Sequence, residues 1–138
     1  MKTAPRNWQG MNWITQVKRL AIYLRDGMAC AWCGQGVEQG VSLSLDHLKP
    51  HSKGGSNDAT NLVTCCEFCN KSRGNRGQAG FARAVAGYVN HGVSAEDVLA
   101  HVRKTSQRSL VPHLVEAKAL IARRGSAAKV LASVKVGT

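Results

Sequence analysis

Acidic side chains are scarce in this sequence. Its 138 residues include eight Asp and Glu against nineteen Lys and Arg, which gives a formal net charge of +11 and a pI near 10. The excess is larger in residues 76–138, with ten basic and three acidic side chains. A charge of this size favours a polyanionic partner, nucleic acid first, over an idle solubilising surface. The basic runs that carry this argument are Arg103, Lys104 and Arg108, and Arg123, Arg124 and Lys129.

Long apolar runs are also missing. No stretch approaches the length of about 18 apolar residues that a membrane helix needs. Residues 1–10 lack the apolar centre of a secretory signal. We therefore expect a soluble, cytoplasmic protein with no membrane partner.

Aromatic residues are few, with three Trp, two Tyr and two Phe. A chain of this length forms one domain with a modest core, and a bound metal would add folding free energy directly. The five cysteines lie between positions 30 and 69. An odd number in so short a span fits thiolate ligation in a reducing compartment better than a disulfide framework.

The cysteines form two C-x2-C pairs, and the four members are Cys30, Cys33, Cys66 and Cys69. Four thiolates complete the closed tetrahedral shell of structural Zn2+. Cys65 could pair with Cys69 instead, but only Cys66 repeats the first spacing, so we expect Cys65 to be a small buried residue. A closed shell has no open position, so this zinc would be scaffold and any catalysis would fall to other residues.

Periodicity predicts an α+β fold. A helix is expected over 13–26, a strand over 41–47, a second strand over 61–64, and a helix from Glu67 to Gly74. Beyond Gly77 the patterns are helical only, with a helix start at Ser94, Pro112 in the first turn of another helix, and Gly125 before the last. We therefore divide the chain into a flexible start (1–12), a core (13–77) and a basic helical extension (78–138), which forms an arm or part of the same compact unit.

Four polar residues between and beside the cysteine pairs could carry chemistry. Asp46 and Asn70 offer oxygen ligands for a cation such as Mg2+. His47 titrates near neutrality and could take a proton from an attacking water. Asn61, like each of the others taken alone, is also explained as a turn, surface or solvated residue. Only their placement with the cysteines raises the catalytic hypothesis.

The pair Asp46-His47 raises a geometric problem. Adjacent strand residues point to opposite faces, so entry of both side chains into one site predicts a bend or bulge in the strand. Basic side chains around this pair are candidates for phosphate contact, although a solvated role is an alternative for each. They are Lys49, His51, Lys53, Lys71, Arg73 and Arg76.

Together these motifs resemble the HNH endonucleases. The matching segments are Arg25-Asp26-Gly27, Cys30-x-x-Cys33-Gly34, Leu45-Asp46-His47-Leu48-x-Pro50, Gly54-Gly55, Asn61-Leu62 and Cys66-x-x-Cys69-Asn70. The resemblance covers about residues 13–77. It implies a zinc-stapled ββα-metal core and a metal-dependent endonuclease that hydrolyses phosphodiester bonds in DNA.

The resemblance also implies roles for single residues. Asp46 would be the first ligand of the catalytic metal, and His47 the general base. Asn61, at the central N of the family, would fix the loop that aims the histidine. Asn70 stands at the third position, which is often histidine, so the chain is similar to the H-N-N variants among phage junction resolvases, which also carry a four-cysteine zinc. An amide oxygen at this position favours Mg2+ or Mn2+ over softer ions.

Two rival functions remain open at this stage. One is a noncatalytic zinc module that binds nucleic acid, which would have no use for the four polar residues together. The other is an assembly subunit of a phage packaging complex, with the extension docking packaging proteins or a second copy of the chain. The sequence does not distinguish duplex, branched or single-stranded substrates, sequence-specific cutting, or nicking from double-strand cleavage.

Overall fold

The computed structural model describes residues 13–74, 76–89 and 92–135. The predicted flexible start at residues 1–12 lies outside these residues. Three short 3-10 turns occupy loops, at Val37–Gln39, His51–Lys53 and Ala59–Asn61. The helices and strands are α1 (Gln16–Arg25), β1 (Leu43–His47), β2 (Leu62–Cys66), α2 (Glu67–Arg73), α3 (Gln78–Val89), α4 (Ala95–Ser106), α5 (Val111–Arg124) and α6 (Ala127–Lys135). The predicted α+β class is confirmed.

The two strands form an antiparallel hairpin. Leu43 pairs with Cys66 at one end and His47 with Leu62 at the other, with one residue opposite one throughout. The predicted bulge at Asp46-His47 is therefore wrong. None is needed, because a cavity beside β1 is lined by both Asp46 and His47.

Each face of the hairpin supports its own apolar core. Leu45 and Leu62 pack with α1, α5 and α6 on one side. Val63 and Cys65 pack with the cysteine pairs, α3 and α4 on the other. The alternation of inward residues along a strand, with a period of two, explains how five-residue strands serve both cores. β2 is buried along its whole length because it lies between them.

The extension begins and ends its helices where the sequence predicts. The Ser94 hydroxyl accepts from the Asp97 amide at 3.1 Å, and the Asp97 carboxylate accepts from the Ser94 amide at 3.2 Å. Pro112 lies in the first turn of α5, and Gly125 ends that helix with φ 104°. Helices from the extension contribute to both cores, while its division from the core at residue 77 stays a prediction. No helix in the described ranges is long and apolar enough to cross a membrane.

A buried ion pair at the end of α1 holds the outer edge of β2. Arg25 and Asp26 are fully buried and lie 2.7 Å apart. The Asp26 carboxylate accepts from the Thr64 amide at 2.7 Å, and the Arg25 guanidinium donates to the Leu62 carbonyl at 2.7 Å. The same guanidinium donates to the Ala59 carbonyl at 2.9 Å and to the Ser106 carbonyl at 3.3 Å. The pair thus joins α1, β2 and the end of α4 at the turn that precedes β2.

Candidate active site

The four predicted cysteines converge on one point. The sulfur atoms of Cys30, Cys33, Cys66 and Cys69 all lie within 4.8 Å of one another. Cys33 Sγ and Cys66 Sγ are 3.7 Å apart. Tetrahedral zinc with bonds of about 2.3 Å would place its sulfurs about 3.8 Å apart, so the cluster fits this ion.

The thiols are arranged as ligands by the backbone around them. The Cys33 amide lies 3.5 Å from Cys30 Sγ, and the Cys69 amide lies 3.4 Å from Cys66 Sγ, so each pair has the same turn. A hydrogen bond from Cys33 lowers the pKa of Cys30, and the same contact raises the pKa of Cys33 to about 12. Thiols this close cannot all ionise without a cation, which is what a bound zinc supplies. Cys65 is fully buried and outside this set, as predicted.

One contact to the cluster has no signal in the sequence. The Tyr88 hydroxyl, from α3, lies 2.9 Å from Cys69 Sγ. Burial raises the pKa of Tyr88, and Cys69 reinforces the shift, so the phenol stays protonated and can donate to the sulfur. Helical periodicity assigned Tyr88 to an apolar face with Phe81 and Val85, and this interpretation misses the polar tip of the side chain.

At the other end of the hairpin, a cavity of about 200 Å³ lies between β1, the following loop and α2. It brings together three of the four polar candidates, Asp46, His47 and Asn70, with His51 beside them. The complete lining is Leu45, Asp46, His47, Pro50, His51, Asn70, Arg73 and Gly74. Asn61 is not part of this lining and acts on the loop instead.

The Asp46 side chain is already engaged. Its Oδ2 accepts from the Trp32 indole at 3.0 Å and from the Arg73 guanidinium. Burial raises the pKa of the Asp46 carboxyl, while Arg73 and Trp32 oppose the shift. Asp46 can therefore offer a cation its second oxygen, and Arg73 shares the carboxylate.

Arg73 corrects a sequence expectation. Its side chain is 4% exposed, and its guanidinium donates to the Leu48 carbonyl at 2.8 Å and the His47 carbonyl at 3.1 Å. The same group lies 5.5 Å from the centre of the Trp32 ring. The predicted phosphate contact at Arg73 is wrong, because its donors are used to hold β1 and the loop after it.

The His47 ring is held by contacts that sequence reasoning missed. Its Nε2 lies 2.8 Å from Asn57 Oδ1. The Trp13 ring packs against it with centroids 4.8 Å apart, and the His51 ring lies edge-on at 5.9 Å. Asn57 belongs to a run of turn residues, and nothing local distinguishes it from Asn61 or Asp58.

Asn61 ties the two ends of the loop after β1. Its Oδ1 accepts from the Lys49 amide at 2.9 Å, and its Nδ2 donates to the Ser56 carbonyl at 2.8 Å and the Lys49 carbonyl at 3.1 Å. The loop is tight, since a Cβ on Gly55 would lie 1.8 Å from the Lys49 carbonyl oxygen. This geometry supports the expected role of Asn61 in fixing the loop.

Asn70 lies exposed on α2 and is oriented by Ser44. Its Nδ2 donates to Ser44 Oγ at 2.8 Å, and that hydroxyl donates to the Cys65 carbonyl at 3.2 Å. The amide oxygen of Asn70 is then the atom left for a ligand. An amide oxygen and a carboxylate oxygen lining one small polar cavity fit a hydrated divalent cation such as Mg2+ or Mn2+.

The remaining candidates for phosphate contact surround this cavity. Lys49, His51, Lys53 and Arg76 are exposed, as phosphate contacts must be. Lys71 is exposed and lies 3.3 Å from Glu67, a surface pair that is worth little and would yield to a phosphate. Their contacts with nucleic acid stay predictions.

Comparison with known proteins bears on this arrangement. Residues 30–85, which contain both cysteine pairs and all four polar candidates, match a family model described as HNH endonuclease. These residues belong to the HNH endonuclease family. The HNH segment thus begins at the first zinc-binding cysteine and ends within α3.

A curated relative of this HNH chain is the CRISPR-associated endonuclease Cas9 of Actinomyces naeslundii. The two are 35% identical over 78 residues, which cover 54% of this chain. The chain spans 7% of the length of that relative. No solved structure matches the chain.

Proposed function

We propose that this chain is a metal-dependent DNA endonuclease that hydrolyses phosphodiester bonds, with His47 as general base and a divalent cation held by Asp46 and Asn70. The observation that carries the proposal is that His47, Asp46 and Asn70 line one cavity within the segment of the HNH family. A bound nucleic acid is what the HNH segment implies, and DNA is our choice of substrate class.

The reaction follows from the groups around the cavity. His47 takes a proton from a water molecule, whose oxygen bonds to phosphorus while the bond from phosphorus to the departing sugar oxygen breaks. That oxygen then takes a proton from solvent. A divalent cation at Asp46 and Asn70 would neutralise charge on the phosphate and on the departing oxygen. Arg73 keeps the Asp46 carboxylate in place through its buried contact.

The end of α4 supports a larger DNA-binding surface. Arg25 holds the Ser106 carbonyl beside the Ala59 carbonyl, so the end of α4 lies next to the turn that closes the His47 loop. Three exposed basic residues stand at that end, and no acidic residue occurs between Asp97 and Glu116. They are Arg103, Lys104 and Arg108. With Lys49 and Lys53 on the loop, they would contact the backbone of a duplex.

The test is plasmid nicking with Mg2+ or Mn2+ present, comparing the parent chain with His47→Ala. We expect the substitution to slow nicking by about 100-fold or more, because a general base contributes at least this factor. His101→Ala is the matched control, since His101 is exposed on α4 away from the cavity. Bound zinc should stay at about one ion per chain in all three proteins. Equal nicking by the parent and His47→Ala would sink the mechanism.

A noncatalytic zinc module is not favoured. Such a module needs the cysteines and the charge but not a histidine, a carboxylate and an amide around one cavity. An origin in phage and a role with packaging proteins stay predictions, and cleavage that appeared only with a partner protein would support them.

A further inference from the structure

His47 is held from outside the segment that matches the HNH family. Three segments meet its ring: Asn57 at Nε2, His51 at the edge and Trp13 against the face. Trp13 precedes residues 30–85 and leads into α1. The described part of α1 therefore reaches the candidate general base as well as the apolar core.

The contact with Asn57 has one chemical meaning. An amide oxygen carries only lone pairs, so the 2.8 Å contact with Asn57 Oδ1 requires a hydrogen on His47 Nε2. A neutral imidazole with its hydrogen on Nε2 has its free lone pair on Nδ1. The ring is then poised to accept a proton at Nδ1, and the hydrogen bond also opposes rotation of the ring.

Asn57 is itself fixed from both sides. The Lys18 ammonium, from the first turns of α1, donates to the Asn57 carbonyl at 2.7 Å across 39 positions of sequence. On the other side, Asn61 donates to the carbonyl of Ser56, the residue before Asn57, at 2.8 Å. Lys18 lies in a partly buried contact, where a charged donor is stronger than in open solvent.

We propose that Asn57 is a positioning residue that holds His47 with its hydrogen on Nε2 and leaves Nδ1 to accept the proton, and that Lys18 and Trp13 support this arrangement. The proposal rests on the proposed function only where it names His47 as the base. The ring geometry and the position of its hydrogen can be measured without any nicking assay.

The experiment compares the full chain with Asn57→Leu, Asn57→Asp and Thr60→Val. Leu has a similar size and no acceptor, whereas Asp keeps an acceptor oxygen and should rescue the contact. Thr60, exposed in the same loop, provides the matched loss of a polar group. Nitrogen-15 NMR of the imidazole rings, about two pH units above the ordinary histidine pKa of ~6.5, reports which nitrogen carries the hydrogen.

In the parent, Asn57→Asp and Thr60→Val, we expect the two His47 nitrogens to keep well-separated shifts with the hydrogen on Nε2. In Asn57→Leu the two shifts should approach each other as the hydrogen is shared. An unchanged His47 spectrum in Asn57→Leu, or a hydrogen on Nδ1 in the parent, overturns the proposal. Unfolding is excluded if zinc content and the remaining spectrum match the parent.

Nicking provides a second measurement. We expect kcat of Asn57→Leu to fall by about tenfold to 100-fold, the scale of a misplaced catalytic group, while KM changes by less than about twofold. Asn57→Asp should recover most of the rate. A rise in KM with kcat unchanged would make Asn57 a substrate contact and contradict the positioning role. If His47→Ala nicks normally while the NMR result holds, the proposed function fails and the assignment of Asn57 stands.

Discussion

The two ends of the β-hairpin solve opposite problems. At the Leu43–Cys66 end, four sulfurs lie within 4.8 Å of one another and their surroundings are buried or half-buried. At the His47–Leu62 end, a half-buried histidine faces an open cavity beside an exposed loop. The first end is closed and suits a structural metal, whereas the second keeps groups in reach of solvent and substrate.

The difference lies in what holds each end. The sulfur end needs few outside contacts, because a metal with four thiolates determines its own geometry. The histidine end has no such centre and depends on hydrogen bonds from Asn57, Asn61 and Arg73, which come from three different places in the chain. We therefore expect damage at the first end to unfold the chain and damage at the second to change activity first.

The largest expected effect is at the sulfur end. Cys33→Ser should abolish stoichiometric zinc binding and leave the chain largely unfolded, because structural zinc contributes on the order of 10 kcal/mol to small domains whose total stability is about 5–15 kcal/mol. Zinc content and circular dichroism measure this.

Cys65→Ser is its matched control. Cys65 is buried beside the cluster but is not one of the four converging thiols. Zinc should be retained, with a loss of about 1–3 kcal/mol from burying a hydroxyl. If Cys65→Ser lost zinc and Cys33→Ser kept it, our choice of ligands would be wrong.

The next largest effect is expected at the buried support of the histidine end. Arg73→Met should lower the free energy of unfolding by about 3–5 kcal/mol, because it leaves the Asp46 carboxylate buried without its partner. Urea denaturation provides the measurement, and Arg76→Gln is the exposed control. The double variant Arg73→Met with Asp46→Asn should be more stable than Arg73→Met alone. Equal stability of these two variants would contradict the coupling.

A smaller effect separates two basic clusters of the extension. Replacing Arg103, Lys104 and Arg108 by Gln should weaken duplex DNA binding by about tenfold or more and lower the slope of log affinity against log salt by about 2–3. Fluorescence anisotropy at several salt concentrations gives both values. The control removes the same charge by replacing Lys118, Arg123 and Arg124 by Gln. Equal losses in both triple variants would indicate diffuse attraction rather than a binding surface near His47.

The smallest effect is expected at the edge of the sulfur cluster. Tyr88→Phe removes the hydroxyl 2.9 Å from Cys69 Sγ and should speed zinc release by up to about tenfold, with the fold retained. Transfer of zinc to a chromogenic chelator follows the rate. Tyr23→Phe removes a hydroxyl that contacts the Leu43 carbonyl in the other core, and it should release zinc at the parent rate. No change in Tyr88→Phe would mean that its hydroxyl does not support the ligand.

Much of the fold could be predicted because its signals are local. The Cys33 and Cys66 spacings, the Ser94 and Asp97 start of α4, and Gly125 after α5 each act through backbone geometry within a few residues. The second strand is longer than predicted because Cys65 and Cys66 continue the ladder that we assigned only to Thr64. The bulge at His47 was wrong because a strand beside an open cavity can reach it from both faces.

What the sequence by itself determined is the cysteine cluster, the α+β order of helices and strands, and the cluster of Asp46, His47 and Asn70. Only the tertiary structure decided that Arg73 is buried on Asp46 across 27 positions, and that Lys18 fixes the Asn57 carbonyl across 39. An arginine or an asparagine looks the same in sequence whether it is solvated or buried. Its role depends on which distant segment packs against it, and that is a property of the folded chain.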